Sequence, residues 1–300
     1  MLLTLLACGQ PEPAPAPDAP GETFDCASLP EPGGEIELEG PRGYKGLTFD
    51  LSGNLVGWDE NALIKSTYDG DWSVFLPGLE DPEQMLTLPN GDLVVTSSWG
   101  AGNMTRVTPA GGTSRIASGL LAYSVVRGPD GMLWGAGWDG AYRVHPQSGD
   151  VDTLVTTRFE DDLSYRTVAF FEGELYLGTV DDHGRVFRWP LGDDGLPVGD
   201  PILYAEGVGG GWHDGLVFDA CGNLYVTEYE SAALYRVSPD GEVTTVVQWT
   251  EREFGHGLVW GTGQDGWRAD ALYVPKPNDG ALVTEIVLGV PGPNWQGELL

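Results

Sequence analysis

Positive charge is scarce in this chain. Its 300 residues carry 15 Lys and Arg against 45 Asp and Glu, a formal charge of −30. A surface with that balance repels phosphate backbones, which excludes nucleic acid as a natural partner. It suits a medium where salt or divalent cations screen the self-repulsion. Long apolar runs are also missing, so no segment of the sequence is long enough to span a bilayer. No stretch sustains a 3.6-residue period over four turns, which excludes a helical reading. No G-x-S-x-G nucleophile motif occurs. Gly209-Gly210-Gly211 is followed by neither Lys-Ser/Thr nor a helical pattern, so it is not a phosphate loop. Cysteine is limited to Cys8, Cys26 and Cys221.

What is abundant points the other way. The chain has 45 Gly and 11 Trp at 41% hydrophobic content, the composition of a packed, turn-rich globular protein. The length suffices for one large all-β domain or two smaller ones. A unit then recurs: an apolar stretch, a Gly turn and a second apolar strand. Its copies are KGLTFDLSGNLVGW from Lys45, QMLTLPNGDLVVTS from Gln84 and SVVRGPDGMLWGAG from Ser124. RTVAFFEGELYLGT from Arg166, DGLVFDACGNLYVT from Asp214 and HGLVWGTGQDGWRADALYVP from His256 complete the set. A third and a fourth strand follow most copies, four of the third strands ending in Pro. Four strands per forty-odd residues is the content of a propeller blade. The expected fold is therefore all-β, a six-bladed β-propeller of four-stranded blades over 35–300. The sixth repeat lacks an outer strand, and EIELEG (35–40) has no partner of its own. The expectation is that this N-terminal strand closes the ring and hides a sheet edge.

The residues before it read as an export device. Residues 1–7 are apolar, and Leu5-Leu6-Ala7-Cys8 resembles a bacterial lipobox, with Cys8 acylated after cleavage. PEPAPAPDAP (11–20) has no core-forming residue and reads as an extended spacer. The chain then divides into a lipoprotein signal remnant (1–8), a Pro-rich linker and tail (9–34) and the propeller. The protein would be a monomer of the bacterial cell envelope, lipid-anchored or periplasmic, touching the membrane only through its anchor. The alternative is an ordinary apolar N-terminus. Cys26 and Cys221 remain, either as a disulfide or as two free thiols.

First strands of propeller blades line the axis and start on one face. The starts Lys45, Gln84, Ser124, Arg166, Asp214 and His256 are thus expected to ring one opening. Loops rich in Trp and acids, such as Trp58-Asp59-Glu60, Trp138-Asp139 and Glu228-Tyr229-Glu230, should surround it. Such a mouth suits a small polar ligand.

HDGLVFDACGNLYVTEYESAALYRVSPDGE (213–242) resembles the signature repeat of the regucalcin/gluconolactonase group, which is also similar to strictosidine synthase-like propellers. The likeness extends over about 35–290, with blade five of motif quality. It implies a six-bladed fold and, for the enzymes, hydrolysis of a lactone or related ester with a divalent cation, calcium or zinc. The Asp of the D-G-L step, a metal ligand and base in the group, corresponds to Asp214, with Glu228, His213 or His256 as helpers. The group's other ligands correspond to Lys45, Arg166 and the vicinity of Tyr123-Ser124. Lys45 and Arg166 cannot serve a hard cation, which needs oxygen donors. Two readings follow. One is a metal-assisted lactone or cyclic-ester hydrolase using Asp214 and His256. The other is a non-catalytic propeller whose Lys45, Gln84, Ser124, Arg166, His213 and Glu228 bind an anionic small molecule or protein segment. Pairing of Lys45 and Arg166 with Asp214 and neighbouring acids, filling a polar channel, remains open beside them.

Overall fold

A computed structural model describes residues 24–59, 62–79, 81–98, 102–157, 163–250, 257–276 and 282–293, without side chains at 40 and 41. His256 and Cys8 lie outside the described residues, as does the Pro-rich stretch. Among the described residues twenty-four strands form six antiparallel sheets of four, one per repeat, which is the expected six-bladed propeller. The sixth sheet takes Val259–Trp260, Ala271–Lys276 and Leu282–Val287 from the C-terminal part and Gly34–Arg42 from the N-terminal part. Gly34 faces Val287 and Leu38 faces Val283, so the ring closes as the unpartnered EIELEG segment required. Trp249 Nε1 donates to Glu35 Oε2 at 2.7 Å, tying blade five to the closing strand.

Burial explains the strand types. Second strands sit between neighbouring blades and are buried on both faces, as in Leu93–Thr96 and Leu224–Glu228. Their near-continuous apolar sequence follows from that position. Outer strands such as Trp72–Pro77 and Val151–Thr156 are largely exposed and alternate accordingly. The turn between first and second strands is fixed by a carboxylate. Asp50 Oδ1 accepts from the Ser52 and Asn54 amides, and Asp219 Oδ1 accepts from the Cys221 and Asn223 amides. Short Asx side chains favour this geometry because they can satisfy their own turn.

The scarce cations have an ordered use. In five blades the third strand carries a basic residue at one register position: Lys65, Arg106, Arg143, Arg188 and Arg236. Four of them reach the acid of the turn beneath. Lys65 lies 2.8 Å from Asp50, Arg106 3.6 Å from Asp92, Arg143 2.7 Å from Asp130 and Arg188 3.3 Å from Glu174. Blade six puts Glu285 at that position, opposite Tyr273, whose hydroxyl donates to it at 2.7 Å.

Cys26 and Cys221 form a disulfide with Cα atoms 5.5 Å apart. Cys221 lies in the first turn of blade five, where Phe24 and Leu29 pack into the core between blades five and six.

Candidate functional site

Three first strands begin with a β-bulge. Register breaks fall between Ala122 and Ser124, Tyr165 and Thr167, and His213 and Gly215. The extra residues are Tyr123, Arg166 and Asp214. A bulge re-aims the side chain of its extra residue, and bulges gather beside functional sites. Lys45 and Glu83 hold the corresponding places in blades one and two, each two residues before the aliphatic Leu47 and Met85 of its first strand.

These residues form one chain of contacts. Arg166 Nε donates to Asp214 Oδ1 at 2.6 Å, with both side chains buried. The Arg166 guanidinium lies 3.6 Å from the Tyr123 ring centroid, 4.8 Å from Trp138 and 5.1 Å from Trp212. Arg166 Nη1 is buried with no hydrogen-bond partner among the described residues. Lys45 Nζ meets Glu83 Oε1 at 2.9 Å and lies 5.7 Å from the Trp58 ring. Ser98 Oγ donates to the same Glu83 oxygen at 2.6 Å. Two cations and two carboxylates therefore balance. The mouth is not the cationic spot that Lys45 and Arg166 alone would create. Burial would release the proton of Arg166, but the Asp214 carboxylate overrides it and holds the guanidinium above its ordinary range. Burial keeps the Tyr123 hydroxyl protonated, with Asp214 acting in the same direction.

Gln84 and Ser124 do not belong to this ring. They sit one residue past Glu83 and Tyr123, and a one-residue step along a strand turns the side chain to another side. The Gln84 side chain crosses the axis instead, its Nε2 donating to the Asp214 backbone carbonyl at 3.3 Å, from blade two to blade five. Glycines make room for this bar. A Cβ on Gly257 would come 2.4 Å from Gln84 Nε2, and one on Gly46 2.6 Å from Gln84 Cα. Ser124 Oγ is buried with no hydrogen-bond partner among the described residues. Gln84, Ser124, Thr167 and Asp214 line one end of an axial cavity of about 900 Å³, whose walls include Leu86, Val125 and Val168 and whose other end reaches Pro129, Glu172 and Gly173.

Two expected helpers are otherwise engaged. His213 is fully buried, its Nδ1 accepting from the Thr179 amide at 3.1 Å and its Nε2 donating to the Val208 carbonyl at 2.9 Å. No ring nitrogen remains for a ligand, and burial pulls its pKa below the usual value. Glu228 Oε1 accepts from the Trp212 and Glu230 amides, and Oε2 from the Ser231 amide and hydroxyl. It fastens the loops of its own blade. Glu83 escaped the sequence reading, and Tyr123 entered it only as part of the Tyr123-Ser124 position that the family resemblance implied. The repeat alignment signals them, since both precede the apolar first-strand core by the same interval as Lys45, Arg166 and Asp214.

The six-bladed ring is the architecture of the gluconolactonase and regucalcin propellers. A gluconolactonase from Xanthomonas campestris superposes with a TM-score of 0.67 at 16% identity, covering 92% of this chain and 99% of that one. A calcium-binding regucalcin from Agrobacterium tumefaciens gives 0.65 at 20% identity, covering 88% and 95%. In sequence, the chain is 29% identical over 112 residues to a 6-deoxy-6-sulfogluconolactonase of Pseudomonas putida, 37% of this chain and 35% of that enzyme. The match thus spans about a third of its curated relative. No family model matches the chain.

The described mouth does not fit a divalent cation. Calcium wants six or more oxygen donors free to turn toward it, and zinc three or four His, Cys or carboxylate ligands. Asp214 and Glu83 are each bound to a side-chain cation, and His213 and Glu228 are spent on backbone groups. Among the described residues no group of three or more His, Cys, Asp or Glu is placed to hold a metal.

Proposed function

We propose that the mouth takes a sugar-derived lactone or a similar cyclic ester and that hydrolysis of the ring is its activity. The observation that carries this reading is the buried Arg166–Asp214 pair at the bulged strand starts, set among Tyr123, Trp138 and Trp212. Aromatic faces around a few fixed polar groups suit a hydroxylated ring. Relatives in fold and in part of the sequence are named as lactonases, one for a sulfonated sugar lactone. The reaction adds water across the ring ester. Water's oxygen bonds to the carbonyl carbon, the ring C–O bond breaks, and the departing ring oxygen takes a proton, leaving a hydroxy acid. Titration of acid release from glucono-1,5-lactone and its 6-sulfonated analogue tests the proposal. Turnover well above the spontaneous rate, lost in Asp214→Ala, is expected. Spontaneous rates throughout would refute it.

A second reading, a receptor for a small carboxylate, draws support from Arg166 Nη1, which has no hydrogen-bond partner among the described residues, and is opposed by the Asp214 carboxylate beside it. Calorimetric binding of gluconate without turnover of its lactone would favour it. Export and lipid anchoring through Cys8 belong to the same proposal. Labelling with a radioactive fatty acid, absent in Cys8→Ala, is the expected result.

A further inference from the structure

The charge count at the mouth suggests what the site uses instead of a metal. Lys45 and Arg166 come from blades one and four, and each is held by an acid of an adjacent blade, Glu83 or Asp214. Both acids are buried: Asp214 is 0% exposed and Glu83 1%. Such acids cannot turn toward an incoming ion without stranding a cation, so the pairs resist exchange. The guanidinium is further fixed by three rings, in a setting where little water competes. One of its donors, Nη1, has no hydrogen-bond partner among the described residues, although Arg166 is only 4% exposed. A buried donor of this kind costs free energy unless something accepts from it. The acceptor it wants is an oxygen carrying partial negative charge. A full negative charge would meet Asp214 beside it, whereas a neutral carbonyl would not.

We infer that Arg166 is the electrophilic centre of the site, a fixed side-chain cation that takes the carbonyl oxygen of a neutral ring ester through Nη1, with Lys45–Glu83 as a second, supporting pair. This deepens the lactone reading and rests on it for the identity of the ligand. As water bonds to the carbonyl carbon, the C=O electron pair moves onto that oxygen, and Nη1 donates to it there once the ligand is seated. A preorganised donor of this sort typically contributes about a hundredfold or more in rate. Asp214 acts here as a positioning residue, holding the guanidinium through Nε.

Two independent measurements decide it. The first concerns the metal and needs no lactone. Wild type should show no calorimetric binding of calcium or zinc and no rise in melting temperature with either. Arg166→Asn with Lys45→Glu removes both cations and leaves three acids and an amide facing the mouth. That variant should gain calcium binding, visible as calcium-dependent stabilisation. Calcium binding by wild type that Asp214→Asn abolishes would overturn the inference, as would a folded double variant that gains none. The second concerns the fork. Arg166→Lys keeps the charge but loses Nη1, so a purely structural role would be largely rescued. We expect kcat for the lactone to fall about a hundredfold with melting temperature and KM little changed. Wild-type kcat in Arg166→Lys would overturn the inference even if the double variant does not fold. If wild type neither binds nor turns over any lactone, the proposed substrate fails, and the metal measurement still judges the fixed cation.

Discussion

Removing Arg166 should damage this protein more than removing almost any surface residue, and removing its partner as well should partly repair it. In Arg166→Leu the apolar contacts with Tyr123, Trp138 and Trp212 are largely kept. The Asp214 carboxylate, 0% exposed, is left inside without its cation. Breaking a buried pair from one side costs about 3–5 kcal/mol, because the desolvated charge that remains has nothing to offset it. A domain of this size loses roughly 2–4 °C of melting temperature per kcal/mol, so a fall of about 10 °C is expected. Asp214→Leu should cost a comparable amount for the mirror reason. The double variant has no stranded charge and should be about 2–4 kcal/mol more stable than the sum of the two single losses. Urea unfolding of the four proteins, followed by tryptophan fluorescence, gives the cycle directly. Additive losses, or an Arg166→Leu cost below about 1 kcal/mol, would mean that the pair is solvated and weak, as exposed pairs are.

Two further outcomes are expected. The Cys26–Cys221 bridge spans a sequence separation of 195, for which loop-closure entropy alone gives about 5 kcal/mol, so Cys26→Ser with Cys221→Ser should lose about 2–5 kcal/mol in urea unfolding; two titratable thiols in the unreduced protein would refute the bridge. Burial holds His213 below its ordinary pKa of 6.5, so below that pH the unfolded chain binds a proton the folded one refuses, and stability falls with acidification by up to about 1.4 kcal/mol per pH unit. His213→Gln, which can still bond both backbone groups, should remove that part of the slope between pH 7 and pH 5. An unchanged slope would show that the imidazole is not the group responsible.

Most of the fold was legible because local rules and the global plan agree. Asn and Asp turns, second strands apolar on both faces and a forty-odd-residue period all specify the same blade. The lone strand at Gly34–Arg42 could be assigned because one sheet lacked an edge and only this segment was spare. The site was legible to within one residue in two blades, and that error has a physical cause. A strand pattern of period two assumes an unbroken ladder, whereas Tyr123, Arg166 and Asp214 are the very residues at which the ladder breaks. Arg166 and Asp214 were named because the repeats place them at blade starts, and both fall at register breaks in the structure. Glu83 was missed, and Ser124 was preferred to Tyr123 as the blade start, because Gln84 and Ser124 are polar neighbours at the same strand ends. The commitments of His213 and Glu228 were invisible for another reason. Sequence shows that a residue can coordinate, but only packing shows that backbone amides have already claimed its lone pairs. The ladder of Lys65, Arg106, Arg143 and Arg188 could have been read from the repeats, since each falls at the same place in its third strand.

The closing of blade six by the first strand has a consequence for how the protein is made. Gly34–Arg42 is synthesised well before its partner Leu282–Val287, about 240 residues further along the chain. During that interval the strand is an open edge available to any other chain, and pairings so distant in sequence are intrinsically slow to form. The Cys26–Cys221 bridge holds the segment before the closing strand against blade five, next to the sheet that the strand completes. The bridge therefore fastens the ring at its closing seam, and a reducing medium would loosen the propeller there first.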